Sequence, residues 1–268
     1  MTSSMDENRD HGPRSAAGVL TEDAFLNGRI TVMQPEKGFR AGIDSVFVAA
    51  AVPAKAGDAV FEAGTGPGVA ALCLLARVPD VTITGVEQDV RYAMLAERNA
   101  EKNGFSGRLR IIRGDVREGL RRDLASWPEH GSFAHAFANP PYYEEGSVQA
   151  PTAPLKSTAH VFGPEDLETW IAVLAAMVRP RGTVTLVYRP ETLGRILAAF
   201  EAHKLGDVRI APLYPKPGQP ASRILVQGVK ASRAPTRILP GIVLHRSDGA
   251  FSLEADMVLR HGKAFPLG

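Results

Sequence analysis

The feature that most restricts the fold is a regular alternation of short apolar strands with helical segments between residues 58 and 202. Apolar residues recur at helical spacing between the strands, most clearly over 167–178 and 193–200. Strands separated by helices need crossover connections, which make a sheet parallel and cover both of its faces. The pattern therefore predicts an α/β fold with five such strands, at 59–63, 81–86, 109–112, 133–138 and 183–188.

The segments on either side of this alternation predict the rest of the fold. Residues 25–33 alternate around the turn signal Asn27-Gly28, and a helix starting at Ile43 must end before Pro53. The runs 208–213 and 224–229, joined by a stretch rich in Pro and Gly, predict an antiparallel hairpin that completes a seven-stranded sheet. We expect a disordered tail at 1–20, an extension packed on the fold at 21–57 and one domain at 58–260.

Composition excludes several classes of protein. Hydrophobic residues make up 44% of the 268 and charged residues 22%, which is ordinary for a globular chain with a core. Cys73 is the single cysteine, so no disulfide framework or cysteine metal site is expected. No apolar run reaches the ~18 residues of a membrane span, and the N-terminus lacks the apolar core of a signal peptide. We therefore expect a cytoplasmic protein that binds no metal and spans no membrane.

A glycine loop, Gly64-Thr65-Gly66-Pro67-Gly68, follows the first of the five strands and precedes a helix over 69–77. Alternate glycines let the backbone turn sharply and let a ligand approach closely. The spacing differs from the pyrophosphate-binding G-x-G-x-x-G pattern, and no P-loop lysine follows. A tight turn alone could explain the loop.

Acidic residues at later strand ends give the loop a functional context. Glu87 closes the second strand, where a carboxylate can accept from ribose hydroxyls, and Asp115 follows the third, where it can accept from an adenine amine while Val116 packs on the ring. Each acid alone is equally well explained as a helix cap. Together with the loop they line one edge of a parallel sheet, which is where such sheets bind ligands.

The fourth strand ends in Asn139-Pro140-Pro141-Tyr142. Two prolines make a rigid, extended turn that fixes Asn139 and directs the Pro140 carbonyl outward. Two such acceptors can take both protons of a planar amine and direct the nitrogen lone pair at an electrophile. The Tyr142 ring can stack on a planar target group. A simple loop breaker is the structural alternative.

These motifs resemble the class I methyltransferases with a Rossmann-like fold, and Asn-Pro-Pro-Tyr is similar to the motif of those that methylate nitrogen. Three upstream stretches (26–30, 34–35 and 38–46) resemble the bacterial tRNA adenine-N6 methyltransferases. The resemblance implies S-adenosylmethionine as cofactor, tRNA as partner and residues 139–142 as catalytic. It implies a cofactor site formed by Glu62, Gly64, Thr65, Gly66, Gly68, Glu87, Asp115, Val116 and Asn139. Glu62 departs from the more usual aspartate, and Phe39 from a frequent tyrosine.

Other interpretations remain open for several residues and for the chain. The resemblance implies a role for Arg40 and Asp44 near the mouth of the cofactor pocket, but Asp44 can equally cap a helix while Arg40 is solvated. His135 and His160 are interpreted as structural, since methyl transfer to an amine needs no strong base before attack. Alternative functions are glutamine methylation of a release factor, whose enzymes carry an additional helical domain, and RNA binding without catalysis.

The stretch 208–247 contains seven basic residues and no acidic one. Such a one-signed region attracts polyanions, so we expect Lys216, Arg223, Lys230 and Arg233, together with Arg40, to contact RNA phosphates. The predicted hairpin would lie far from the glycine loop, and cofactor binding would not depend on it. The alternative is that these charges only solvate the hairpin.

Overall fold

The computed structural model describes residues 19–142 and 164–268. Six α-helices are described: α1 Ile43–Ala51, α2 Val69–Arg77, α3 Val90–Lys102, α4 Pro164–Met177, α5 Leu193–Ala202 and α6 Leu253–Leu259. The strands are β1 Leu20–Phe25, β2 Ile30–Pro35, β3 Ala59–Ala63, β4 Thr82–Glu87, β5 Leu109–Arg113, β6 Phe133–Ala138, β7 Val178–Tyr188, β8 Leu205–Tyr214, β9 Arg223–Lys230, β10 Arg237–Ile238 and β11 Ile242–Val243. Short 3-10 helices lie at Val116–Leu120 and Pro190–Thr192.

Seven strands form the central sheet in the order β8-β9-β7-β6-β3-β4-β5. Strands β3 to β7 are parallel, and β9 runs antiparallel to both of its neighbours, β7 and β8. The predicted α/β fold and antiparallel hairpin are confirmed. The two-residue strands β10 and β11 add to the β8 edge and bring the sheet to nine strands.

Several strands extend beyond their predicted bounds, β7 and β1 the furthest. Strand β7 begins at Val178, directly after α4, and its register with β6 shifts between Phe133 and His135. The added residues, 178–182, are mostly polar, proline or glycine, so the apolar pattern by which a strand is predicted from sequence is absent there. Strand β1 begins at Leu20 because it pairs along its whole length with β2.

Apolar side chains cover both faces of the sheet. One core contains α1, α2 and α6 with residues such as Phe47 and Leu72, and the other contains α4 and α5 with residues such as Phe61 and Ile171. Each of these four side chains is fully buried, which contributes ~1.5–3 kcal/mol for a side chain of this size. The rigid sheet between the two cores fixes the ends of its strands. None of the described helices is long and apolar enough to cross a membrane.

The N-terminal hairpin β1–β2 packs on the main fold through Asn99 of α3, which is completely buried. Its amide exchanges hydrogen bonds with the backbone of Met33 on β2, at 2.8 and 3.0 Å, and donates to the Pro67 carbonyl at 2.8 Å. One side chain therefore joins the hairpin to the glycine loop. The domain boundaries at residues 20, 57 and 260 stay a prediction.

Candidate active site

A cleft of about 330 Å³ lies at the carboxyl edge of the parallel strands. The glycine loop after β3, Glu87 at the end of β4, Asp115 after β5 and Asn139 after β6 all border it. Because these strands are parallel neighbours, their carboxyl ends meet at one edge of the sheet. The structure thus brings together residues spread over 76 positions of the sequence, from Gly64 to Asn139 inclusive. The other residues of the lining are Phe39, Gly66, Gln88, Asp89, Tyr92, Val116, Arg117, Pro141, Asp166 and Trp170.

The glycine loop has a backbone that only glycine fits well. Gly64 has φ of +68°, and a Cβ atom there would lie 2.4 Å from the Trp170 ring on α4. Gly68, with φ of +91°, begins α2. The missing side chain at Gly64 lets the indole close over the loop, so the loop forms the floor of the cleft and Trp170 borders it.

Glu87 fastens the loop to the sheet. Its Oε2 accepts from the Gly66 N–H and its Oε1 from the Asp89 N–H, both at 2.8 Å. A carboxylate has about four acceptor positions, so two such bonds leave further acceptor capacity toward the cleft. Burial raises the pKa of Glu87, and the two backbone bonds oppose that rise.

Asp115 is a helix cap, as one of its two interpretations predicts, and it also borders the cleft. It caps the 3-10 helix Val116–Leu120 by accepting from the Arg117 N–H at 2.9 Å, and it borders the cleft beside Val116. The Arg117 guanidinium also pairs with the Asp115 carboxylate and lies 4.0 Å from Asp166 of α4. Sequence reasoning missed Arg117, because an exposed arginine two residues after an acid carries no distinctive signal.

Glu62 lies beneath the glycine loop and not among the residues bordering the cleft. It is 3% exposed, and within the described chain its Oε2 and the Thr65 Oγ1 have no hydrogen-bond partner. Burial raises the pKa of Glu62 well above its usual value. An unsatisfied buried carboxyl and hydroxyl under a loop are costly unless a ligand or water completes them.

Asn139 is held by the first turn of α1. Its Nδ2 donates to the Ser45 Oγ across 3.2 Å, and Ser45 is buried. An amide whose nitrogen is used in this way presents Oδ1 as an acceptor to other groups. Ser45 belongs to the upstream stretch that carried the family resemblance, but its contact with Asn139, 94 residues away, has no local signal in the sequence.

Among the described residues, four side chains make polar or ring contacts with Tyr142, one of which is Arg189, whose Cζ lies 5.5 Å from the centroid of the Tyr142 ring. Its hydroxyl donates to Asp44 of α1, the Arg223 Nε donates to the same hydroxyl at 3.0 Å, and the Tyr188 ring packs edge-on at 5.3 Å between centroids. Burial, followed by the Asp44 carboxylate, raises the pKa of the Tyr142 phenol, so it stays protonated and able to donate. The Tyr188 hydroxyl donates to the Pro141 carbonyl at 3.1 Å, which fixes the proline turn.

The basic stretch 208–247 has no acidic residue of its own, but in the described chain four of its arginines pair with carboxylates from outside it. Arg223 pairs with Asp44, Arg209 and Arg237 pair with Asp207, and Arg246 pairs with Asp248. All three acids lie outside the stretch 208–247, so its composition could not reveal these pairs. Arg40 is likewise held by the N-terminal hairpin, through Asp23 at 2.6 Å and Thr21 at 2.7 Å.

The four hairpin cations also lie at opposite edges of the sheet. Strand β8 runs parallel to β7, so the turn after Tyr214 places Lys216 at the carboxyl edge, where Arg223 starts β9. Lys230 ends β9 at the other edge, where its Nζ donates to the His203 carbonyl at 3.1 Å, and Arg233 follows it. As expected, the hairpin lies toward the other end of the sheet from the glycine loop, since β7 and β6 separate β9 from β3. Its turn, however, is on the same carboxyl edge as the loop. Contact with RNA stays a prediction for all four.

Two further predictions concern helix caps and histidines. Asp44 makes no capping bond in α1, whose N-cap is Gly42, so the capping interpretation of Asp44 is wrong. His135 lies near the start of β6, away from the cleft, with Nδ1 2.8 Å from the Thr183 hydroxyl and Nε2 3.4 Å from Asp58. These contacts agree with a structural role. His160 lies outside the described residues, and over the described ranges no three acidic, His or Cys side chains are grouped to hold a metal.

Aromatic side chains in the lining went unrecognised as site residues. Phe39 is 48% exposed, and a Cβ on Gly66 would lie 3.2 Å from its ring. Tyr92 of α3 donates to the Phe39 carbonyl at 3.0 Å and packs edge-on against the Phe39 ring. From the sequence, Trp170 is predicted only to be a core residue of a helix. The cleft therefore offers carboxylates, backbone groups and aromatic surfaces together, which suits a nucleoside-sized ligand.

Comparisons with known proteins agree with this geometry. Residues 40–156 match the family model of the methyltransferase small domain. A tRNA1(Val) (adenine(37)-N6)-methyltransferase of Porphyromonas gingivalis is 26% identical over 244 residues, covering 88% of this chain and 92% of the relative. One from Aeromonas salmonicida is 27% identical and covers 80% of this chain and 85% of its own length.

Solved structures show the same fold. A predicted O-methyltransferase from Agrobacterium tumefaciens superposes with a TM-score of 0.70 at 26% identity, covering 83% of this chain and 98% of its own. A SAM-dependent O-methyltransferase from Thermotoga maritima gives a TM-score of 0.51 at 18% identity, covering 74% and 69%. The chain is therefore a methyltransferase with the class I α/β fold, related to the bacterial tRNA adenine-N6 methyltransferases that its motifs resemble.

Proposed function

We propose that this methyltransferase uses S-adenosylmethionine to methylate the exocyclic N6 of an adenosine in tRNA. The observation that carries the proposal is the position of Asn139, which borders the same cleft as the glycine loop, Glu87 and Asp115. A cofactor pocket and an amine-binding turn thus open into one space. The relatives named as tRNA adenine-N6 methyltransferases, aligned over most of the chain, support adenosine as the acceptor.

The residues present fit the cofactor. Glu87 has remaining acceptor capacity for ribose hydroxyls, and Asp115 with Val116 suits an adenine amine and ring. The backbone of Gly64 and Gly66 would hold the amino-acid end, with Gly68 starting the helix behind them. The side chains of Glu62 and Thr65 are buried beneath the loop and would support it from below. S-adenosylmethionine would supply a methyl group on a positively charged sulfur.

The chemistry at the acceptor follows from the proline turn. The Asn139 Oδ1 and the Pro140 carbonyl would accept the two protons of the adenine amine and favour a tetrahedral nitrogen. Pro141 and the Tyr142 ring would hold the planar base in line with the donor. Asn139 and the Pro140 carbonyl would hold the amine while its nitrogen takes the methyl group that the cofactor would supply, and one amine proton would then pass to solvent. This assigns Asn139, Pro140, Pro141 and Tyr142 to the catalytic turn.

The test is methyl transfer by the purified chain from labelled S-adenosylmethionine to unmodified valine tRNA, with digestion and mass spectrometry of the nucleosides. We expect N6-methyladenosine in the wild-type reaction. Asn139→Ala should fold and lower kcat by ~100-fold or more, because it removes a preorganised acceptor at the reacting nitrogen. Label that appears in glutamine of a release factor and not in RNA would favour the alternative acceptor and overturn the proposal. A wild type that binds tRNA without transferring label would also overturn it.

The proposal places the protein in the cytoplasm, where tRNA is modified. Imaging of a tagged copy, or fractionation followed by immunoblotting, checks that location.

A further inference from the structure

Arg223 is less exposed than several other arginines of the basic stretch and is packed against polar groups of the chain. Its Nε lies 2.9 Å from the Asp44 Oδ2, and both side chains are largely buried, with 28% and 17% exposed. Its Nη1 donates to the Ser222 carbonyl at 2.7 Å. Two of its three guanidinium nitrogens are thus engaged within the chain. An arginine that serves mainly to bind phosphate would keep its donors directed toward solvent.

The same guanidinium covers the Tyr142 ring. The Arg223 Cζ lies 4.5 Å from the centroid of that ring, within the range of a cation–π contact. Nε also donates to the Tyr142 hydroxyl, and that hydroxyl donates to Asp44. Asp44, Arg223 and Tyr142 therefore form a closed triangle of contacts. Two hydrogen bonds at the hydroxyl and a guanidinium against the ring together hold the Tyr142 side chain in its present orientation.

The three members come from parts of the chain that share no local structure. Asp44 lies in the first turn of α1, Tyr142 ends the proline turn after β6, and Arg223 starts β9. Hairpin β8–β9 is inserted next to β7 and brings Arg223 to the carboxyl edge of the sheet. The adjacent Ser45 holds Asn139, so one helical turn positions both polar ends of the proline turn.

We propose that Asp44 and Arg223 are positioning residues that fix the Tyr142 ring at the acceptor site, and that this is the role of Arg223 instead of phosphate binding. The inference rests on the proposed function, since it deepens the description of that same site. A misplacement of about an ångström at a reacting centre costs up to ~100-fold in rate, so loss of the pair should act on turnover.

The experiment is a double-mutant cycle with Asp44→Asn, Arg223→Gln and the double variant. Each single change should lower kcat by ~10–100-fold, with the cofactor Kd from calorimetry unchanged. The double variant should be no worse than the poorer single variant, because each single change leaves one charge without its partner. Arg223→Lys should recover only part of kcat, since it keeps the charge and loses the planar contact with the ring. Additive losses in the cycle would overturn the proposal.

Salt dependence separates the two roles of Arg223. The slope of log K for tRNA binding against log salt should be the same for Arg223→Gln and wild type. A decrease of ~0.7–0.9 in that slope, with kcat retained, would assign Arg223 to phosphate binding and overturn the proposal. The matched control is Arg195→Gln, which breaks an Arg–carboxylate pair of 2.9 Å between α5 and α4. It should leave both kcat and the salt slope unchanged.

A crystal structure of Arg223→Gln gives a test that does not depend on the acceptor. We expect the Tyr142 ring to leave its present orientation, and a ring that keeps its place would overturn the proposal. Thermal unfolding of each variant confirms that it is folded. A wild type inactive on adenosine would contradict the proposed function alone, and the same cycle on whichever nitrogen acceptor it methylates would still decide the role of Arg223.

Discussion

The side-chain amide of Asn139 donates to the buried hydroxyl of Ser45, with 3.2 Å between Nδ2 and Oγ. The bond joins the end of a central strand to the start of α1, so it connects the proline turn to the segment that follows the N-terminal hairpin. The bond also sets the orientation of the Asn139 amide. With the nitrogen used by Ser45, the Asn139 oxygen faces the other way as an acceptor.

Ser45→Ala should therefore lower kcat by roughly 2–10-fold, the value of one ordinary hydrogen bond, while KM for tRNA and the cofactor Kd stay the same. The amide would lose the partner that fixes its orientation. Steady-state kinetics with both substrates varied measure the effect. Ser45→Thr keeps the hydroxyl and should recover most of kcat. Loss of cofactor affinity in Ser45→Ala, without loss of kcat, would contradict this role.

Glu87→Gln and Asp115→Asn should each weaken S-adenosylmethionine binding. Each change removes a charged acceptor, worth ~1.5–3 kcal/mol or ~10–150-fold in affinity. The amide variants are preferable to alanine, because Glu87 also holds the Gly66 N–H and Asp115 caps a 3-10 helix. Isothermal titration calorimetry measures the Kd of each variant. Unchanged affinity in both would remove the proposed cofactor site.

Glu62→Gln should make the protein more stable at neutral pH. Burial raises the folded-state pKa of Glu62 well above 4.5, so the folded state binds more protons than the unfolded state as pH rises from that value. Protonated Glu62 contributes fully to the free energy of unfolding below the unfolded pKa. That contribution is lost as pH rises from about 4.5 through the higher folded-state pKa.

The stability gap between Glu62→Gln and wild type should accordingly widen from pH 5 to pH 8. Thermal or denaturant unfolding across this range measures the gap, with the exposed Glu129→Gln as the control for removal of one carboxylate. A gap that narrows with increasing pH would show that Glu62 is charged and paired in the folded protein.

Lys216 and Arg233 offer a test of where RNA binds, because both are exposed and lie at opposite edges of the sheet. Lys216→Gln, at the carboxyl edge of the sheet, should lower the salt slope of tRNA binding by ~0.7–0.9 for one lost phosphate contact. Arg233→Gln should change it less. Filter binding at several salt concentrations measures both slopes. If Lys216→Gln leaves the slope unchanged, the RNA surface lies elsewhere, for example around residues 108–122.

Sequence by itself determined the chemistry and the order of the elements. Strands with near-continuous apolar runs, the loop from Gly64 to Gly68 and the prolines after Asn139 are local signals, since each depends on propensities within a few residues. Those signals predicted the parallel sheet and the residues at its carboxyl edge. Strand ends in parallel neighbours must meet, so Glu87, Asp115 and Asn139 could be assigned to one site before any contact was known.

Only the tertiary structure decided how these residues are held and which charges are paired. Asp44 and Arg223 are 179 positions apart, and Ser45 and Asn139 are 94 apart. Their contacts depend on the insertion of β9 beside β7 and on the packing of α1 against β6, neither of which has a local signature. In composition Arg223 is one of seven similar cations, whereas in the fold it is the half-buried ion-pair partner of Asp44. Charge counted along a chain cannot show pairing across it, because an ion pair is set by distance in space.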